Sequence, residues 1–156
     1  MDKNLLRATV EECIAGTDIF IVDIRIEAGN RVVVELDSPE GLDIDTCAAI
    51  TRKIESVFDR DAEDYELEVG SAGLTAPFKV RGQYQKNLGN EVEVLTRDGQ
   101  KFSGVLTELH PDEDVFTVEV PVKVKKADSK RPVIEMQPRT LAFADCKYVK
   151  YLINFK

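Results

Sequence analysis

The chain is poor in the side chains that most enzyme chemistry needs. It holds one histidine, His110, and three cysteines, Cys13, Cys47 and Cys146, with no C-x-x-C pair among them. An odd, widely spaced set of thiols argues against a disulfide framework or a zinc site and fits a reducing compartment. Neither G-x-x-x-x-G-K-[ST] nor G-x-G-x-x-G occurs, so no phosphate cradle is expected. No apolar run approaches the roughly 20 residues that a membrane span requires. Met1-Asp2-Lys3-Asn4 leads straight into an amphipathic pattern without a signal-peptide core. The expectation is a soluble, cytoplasmic protein.

What is present is a core and a charge imbalance. Of 156 residues, 43% are hydrophobic and 32% charged, enough for one medium domain or two small ones. The net charge of −8 argues, taken whole, against a nucleic-acid binder. It is unevenly shared. Residues 1–78 carry 18 acidic and 7 basic side chains, net −11, while residues 79–156 carry 11 acidic and 14 basic, net +3. Two units with different surfaces are expected.

Periodicity divides the chain in the same place. Leu6, Val10, Cys13 and Ile14 share a helical face, with Asp2 placed to cap and Gly16 to stop it. Residues 18–27 alternate, putting Phe20, Val22, Ile24 and Ile26 on one face. Ala28-Gly29-Asn30 turns the chain into Arg31–Asp37, the return strand of a hairpin. Asp43 caps a second helix, with Leu42 and Cys47 spaced as a hydrophobic staple. Cys47, Ile50, Ile54, Val57 and Phe58 form that helix's buried stripe. Tyr65, Leu67 and Val69 mark a third strand. The order α-β-β-α-β predicts a small α+β sandwich with its helices on one face of the sheet.

Gly70–Pro77 has no period and reads as the boundary, giving domains at 1–75 and 76–156 with a linker at about 70–78. A helical turn over Arg81–Leu88 is followed by short strands. Glu91–Thr96 and Lys101–Thr107 flank Asp98-Gly99, a tight-hairpin signal. Val115–Val120, Val133–Met136, Leu141–Phe143 and Tyr148–Phe155 complete the set, and many short strands without a long helix predict a small closed barrel. Gly99 and Gly104 are spaced as hairpin and barrel-bend glycines.

Chemistry-bearing candidates are few. His110 sits in His110-Pro111-Asp112-Glu113-Asp114, which reads as a solvated turn rather than a metal site. Cys13 and Cys47 lie on apolar stripes, and Cys146, between Asp145 and Lys147, is expected to be partly exposed. Asp59, Asp61, Glu63 and Asp64 form a string along one loop, a solvated face or a surface for a basic partner. The basic features are Lys123, Lys125, Lys126, Lys130 and Arg131 against the single Asp128, and a second cluster of Lys79, Arg81 and Lys86. Such clusters either follow phosphates or solvate a hairpin tip. Phe78 and Tyr84 are the only aromatics near the second cluster, so base stacking is weakly signalled.

Tyr65-Glu66-Leu67-Glu68-Val69-Gly70-Ser71-Ala72-Gly73-Leu74-Thr75-Ala76-Pro77-Phe78, followed by Gly89-x-Glu91-Val92-x-Val94 and Phe102-x-Gly104-x-Leu106, resembles the ribosome maturation factor RimP family over essentially the whole chain. In the linker, Ser71, Gly73, Leu74 and Pro77 match the usual Ser-Pro-Gly-Leu-Asp-Arg-Pro-Leu, whereas Ala72, Thr75 and Ala76 replace Pro, Asp and Arg. The resemblance implies an N-terminal αββαβ domain and a C-terminal all-β SH3-like (Sm-like) barrel. It also implies a non-enzymatic factor, without cofactor, membrane or small-molecule substrate, for late maturation of the small (30S) ribosomal subunit. The implied partners are the free subunit, its ribosomal protein twelve and its rRNA. The acidic Asp59, Asp61, Glu63 and Asp64 would then face the basic ribosomal protein. Lys79, Arg81, Lys123, Lys125, Lys126, Lys130 and Arg131 would face rRNA. The rival readings are a generic RNA-binding module and an enzyme.

Overall fold

The computed structural model describes residues 1–125, 127 and 130–153. The chain divides into two compact units, Met1–Gly73 and Leu74–Lys156. Among the described residues no helix is long and apolar enough to cross a membrane.

The first unit begins with α1, Lys3–Ile14, capped by the Asp2 carboxylate, which accepts from the backbone N–H groups of Asn4 and Leu5. Strands β1 (Phe20–Glu27) and β2 (Arg31–Asp37) pair antiparallel. Their turn needs left-handed backbone at both Gly29 (φ 79°) and Asn30 (φ 56°), which these two residue types adopt most readily. Asp43 then caps α2, Ile44–Val57, by accepting from the Thr46 N–H at 2.7 Å. Strand β3, Glu66–Ser71, lies parallel to β2, so the sheet order is β1-β2-β3.

Leu6 and Val10 from α1 and Ile50 and Ile54 from α2 pack on Ile24, Val32, Val34 and Leu36 of the sheet. Leu42 joins this core, but its expected staple partner Cys47 stays half-buried outside it. The expected face of β1 is also corrected. A register shift between Ile21 and Asp23 inserts one extra residue opposite β2, and a bulge reverses which side chains point inward. Ile19 and Ile21 therefore reach the core before it, and Ile24 and Ile26 after it, while Phe20 is half-buried and Val22, 5% exposed, is buried outside that cluster. Tyr65 precedes β3 rather than belonging to it. It is buried, and its hydroxyl donates to the Phe58 carbonyl at 2.7 Å.

In the second unit a short helix, α3 (Arg81–Lys86), precedes β4 (Glu91–Thr96), β5 (Lys101–Leu109), β6 (Val115–Val124), β7 (Val133–Ala142) and β8 (Cys146–Tyr151). All five strands pair antiparallel in the order β7-β6-β5-β4-β8. A single 3-10 turn, Phe143–Asp145, carries the chain from one edge strand to the other. The sheet curls round Val92, Val94, Leu106, Phe116, Val118 and Val149. Gly104 is what lets β6 approach: a Cβ there would collide with the Glu119 carbonyl oxygen and the Val118 side chain.

Three expectations change here. The segments expected as separate strands at 133–136 and 141–143 are one strand, β7, which runs through Pro138. A proline is tolerated there because β7 is the edge of the sheet. Cys146 is buried rather than partly exposed, because it opens β8 opposite Thr96 and its side chain faces the core. The last strand ends at Tyr151; Phe155, expected in it, lies outside the described residues.

Candidate nucleic-acid interface

The main basic run lies on a ribbon. The ladder between β5 and β6 ends at Val105↔Glu119, whereas the ladder between β6 and β7 continues to Val124↔Val133. Residues 120–124 and 133–137 therefore form a two-stranded ribbon in which, among the described residues, β6 pairs only with β7. Lys123 and Lys125 on one arm and Lys130 and Arg131 on the return are exposed. Lys126 lies outside the described residues. Alternation in the sequence ends this strand at Val120 and puts the cations at a hairpin tip; the ribbon that carries them is visible only in the pairing.

Lys79 is exposed and its backbone N–H donates to the Gln83 side-chain oxygen at 2.5 Å. Val80 N–H donates to the same oxygen at 3.1 Å, so Gln83 organises the entry to α3. The Arg81 guanidinium is committed inside the unit. Nη1 donates to the His110 carbonyl and Nη2 to the Glu113 carbonyl, both at 2.8 Å. It also stands 5.4 Å from the Phe143 ring centroid. Arg81 thus ties α3 to the β5–β6 turn, which competes with any contact to phosphate.

The two aromatics beside this cluster are core residues. Tyr84 is 7% exposed and packs against Phe78, Phe116 and Phe143 at centroid separations of 5.0, 5.4 and 4.7 Å. Burial pushes its phenol pKa up, so it stays neutral. Tyr84 is a lid on the barrel core rather than a platform for bases.

The acidic string makes its own turn. Asp59 accepts from the Asp61 N–H at 2.9 Å, and Glu63 accepts from the Met1 amino group at 2.5 Å. Asp61 and Asp64 are exposed. The structure adds a second acidic surface that the sequence does not signal. Glu12, Asp43 and Asp45, with Lys53 as the one cation among them, line a groove of about 510 Å³ between α1 and α2 together with Cys13, Ala49 and Ile50. The two hydrogen bonds from Thr46 hold the Asp43 carboxyl below its ordinary range. Helical spacing alone could have put these acids beside one another only if the pairing of α1 with α2 were known.

Of the linker residues, Ser71 closes β3 opposite Leu36, while Gly73, Leu74 and Pro77 are exposed, Leu74 at 68%. Phe78 N–H already bonds the Val149 carbonyl at 2.7 Å, so the second unit is engaged from that residue. His110 follows β5; its Nε2 lies 3.2 Å from the Thr117 hydroxyl and 3.7 Å from Glu108. Burial raises the pKa of all three thiols, which keeps them protonated and poorly nucleophilic.

Residues 8–75 match the family model described as the RimP N-terminal domain. Over 153 residues the chain is 40% identical to a ribosome maturation factor RimP of Porphyromonas gingivalis, covering 98% of this chain and 99% of that protein. A protein of the same name from Cytophaga hutchinsonii is 31% identical over 89% of this chain and 88% of its own. One from Christiangramia forsetii is 31% identical over 90% of both. Likeness of this extent runs through both units, and it places the chain in the RimP family.

Proposed function

We propose that the protein is a ribosome maturation factor for late assembly of the small (30S) ribosomal subunit, working in the cytoplasm without catalysing a reaction. The observation that carries this reading is the near full-length likeness to proteins named ribosome maturation factor RimP. On this reading the protein binds the free subunit through two unlike surfaces. The first unit meets a basic ribosomal protein, ribosomal protein twelve, with its exposed acids and the acid-lined groove between α1 and α2. The second unit meets rRNA with Lys79, Lys123, Lys125, Lys130 and Arg131. Arg81 serves here by holding the barrel surface in shape.

Co-sedimentation with purified ribosomal particles tests the proposal. The protein should travel with free small subunits and not with assembled ribosomes. Equal binding to unrelated structured RNA would instead identify a generic RNA-binding module. His110→Ala should leave maturation of the small subunit unchanged in cells; a maturation defect with intact folding would expose an overlooked chemical site.

A further inference from the structure

The ribbon carries more than charge. In an antiparallel pair, residues directly opposite share a face. The 2.9 Å contact between the Thr117 and Thr140 hydroxyls fixes this for the β6–β7 ladder. Counting outward from that pair in steps of two, Pro121 with Met136 and Lys123 with Ile134 fall on the same face. Ile134 is 70% exposed and Met136 45%, and Pro121 and Lys123 are exposed beside them. The other face runs back toward the core through Val118 and Val120.

An exposed Ile–Met–Pro strip costs solubility, and nothing in the curl of the barrel requires it, because Ile134 and Met136 belong to neither core. Its surroundings point to what covers it. Residues 119–139 hold six Lys and Arg against three acids, with Arg139 held by Gln100 and the Phe102 ring on the opposite face, so the strip lies beside a net cationic run suited to a polyanion rather than to a basic protein. A uniform duplex offers phosphates but no apolar surface at the right depth. In A-form RNA the base faces are stacked away and the major groove is too narrow for side chains. Unpaired nucleotides offer both, base faces for apolar side chains and flanking phosphates for lysines.

We infer that the ribbon binds unpaired RNA, with Ile134 and Met136 packed against exposed bases and Lys123 and Lys125 on the flanking phosphates. This deepens the proposed function, since it assigns the rRNA contact to single-stranded or looped segments, which an unfinished subunit exposes. It reads sequence little and pairing state strongly.

The test uses the full chain and two RNA probes, a fully paired hairpin and the same hairpin carrying an internal loop of unpaired nucleotides. The wild type should prefer the looped probe by about tenfold, the return on roughly 55 Å² of aliphatic surface covered by a base. The Ile134→Ser/Met136→Ser variant should bind both probes alike with its salt dependence unchanged. Lys123→Ala/Lys125→Ala should keep the preference but bind both probes more weakly, with the salt slope reduced by about 1.4, roughly 0.7 for each phosphate no longer neutralised. Ile134→Lys is a second variant on an exposed position; it should tighten binding to both probes and lower the preference. Circular dichroism should match the wild type for all of them.

No preference in the wild type, or a preference that survives Ile134→Ser/Met136→Ser, would overturn the inference. So would loss of binding by that variant to the isolated ribosomal protein with RNA binding intact, which would make the ribbon a docking edge for protein. Failure of the proposed function looks different. The wild type would then prefer the looped probe yet fail to travel with free small subunits.

Discussion

The two units reach a folded core by different means. The first wedges aliphatic side chains from two helices against three strands, with Leu6, Val10, Ile50 and Ile54 facing Ile24, Val32, Val34 and Leu36. The second has almost no helix; its curled sheet closes on Val92, Val94, Leu106, Val118 and Val149, and rings cover it where the first unit has helices, Tyr84, Phe116 and Phe143 lying 4.7 to 5.4 Å apart. A few large rigid rings can cover the open side of a curled aliphatic sheet, a task that two helices perform in the first unit. The first solution leaves helix faces free to carry acids. The second leaves strand ends free to run past the core, as β6 and β7 do. The difference in packing is thus also the difference in what each unit can offer a partner.

The contrast predicts where the molecule is fragile. Phe116→Ala removes a fully buried ring and should cost about 3–5 kcal/mol. If the units are thermodynamically separate, a two-transition melt should lose stability only in the transition of the second unit. A shift of both transitions together would break the comparison and make the two cores one cooperative system.

Glycines sharpen it further. Gly104→Ala forces a methyl group against the backbone of Glu119, and such overpacking should cost about 1–3 kcal/mol in chemical denaturation. Gly70→Ala in β3 meets nothing within 4 Å, so the same change in the first unit should be nearly neutral. Equal costs at the two positions would mean that the curl does not depend on close approach at Gly104.

Much of this was legible in the sequence where a single local rule decides. Asp2 and Asp43 cap their helices because a short carboxylate before an apolar-periodic run has one good use. The α-β-β-α-β order, the Asp98-Gly99 hairpin and the bend at Gly104 were readable for the same reason. The misreadings lie where two strands must be known at once. The bulge at β1 changes the inward face without any glycine or proline to announce it. Pro138 looks like a strand end until β7 is known to be an edge. Cys146 looks partly exposed between Asp145 and Lys147 until it is seen to open β8 opposite Thr96 with its side chain in the core. The ribbon was hidden because its length depends on β5 parting from β6, which no pattern within β6 records.

The smallest expected effect concerns charge on the barrel body. Glu93 in β4 accepts from the Tyr148 hydroxyl at 2.8 Å and lies 3.6 Å from Lys101 Nζ and 3.5 Å from Lys150 Nζ. The hydrogen bond from Tyr148 chiefly, then the two lysines, hold its carboxyl below the ordinary glutamate range. A carboxyl whose pKa is lowered on folding stabilises the native state above its unfolded pKa. That contribution fades as pH falls through the native value, where both states become protonated. Glu93→Gln should therefore be less stable than the wild type at neutral pH, by at most about 1 kcal/mol for a half-buried group that water still reaches. The two proteins should converge as the pH drops below the usual carboxylate range. Denaturant melts at a series of pH values read the difference directly. A gap that stays constant down to acid pH would assign the loss to the shape of the side chain rather than to its charge.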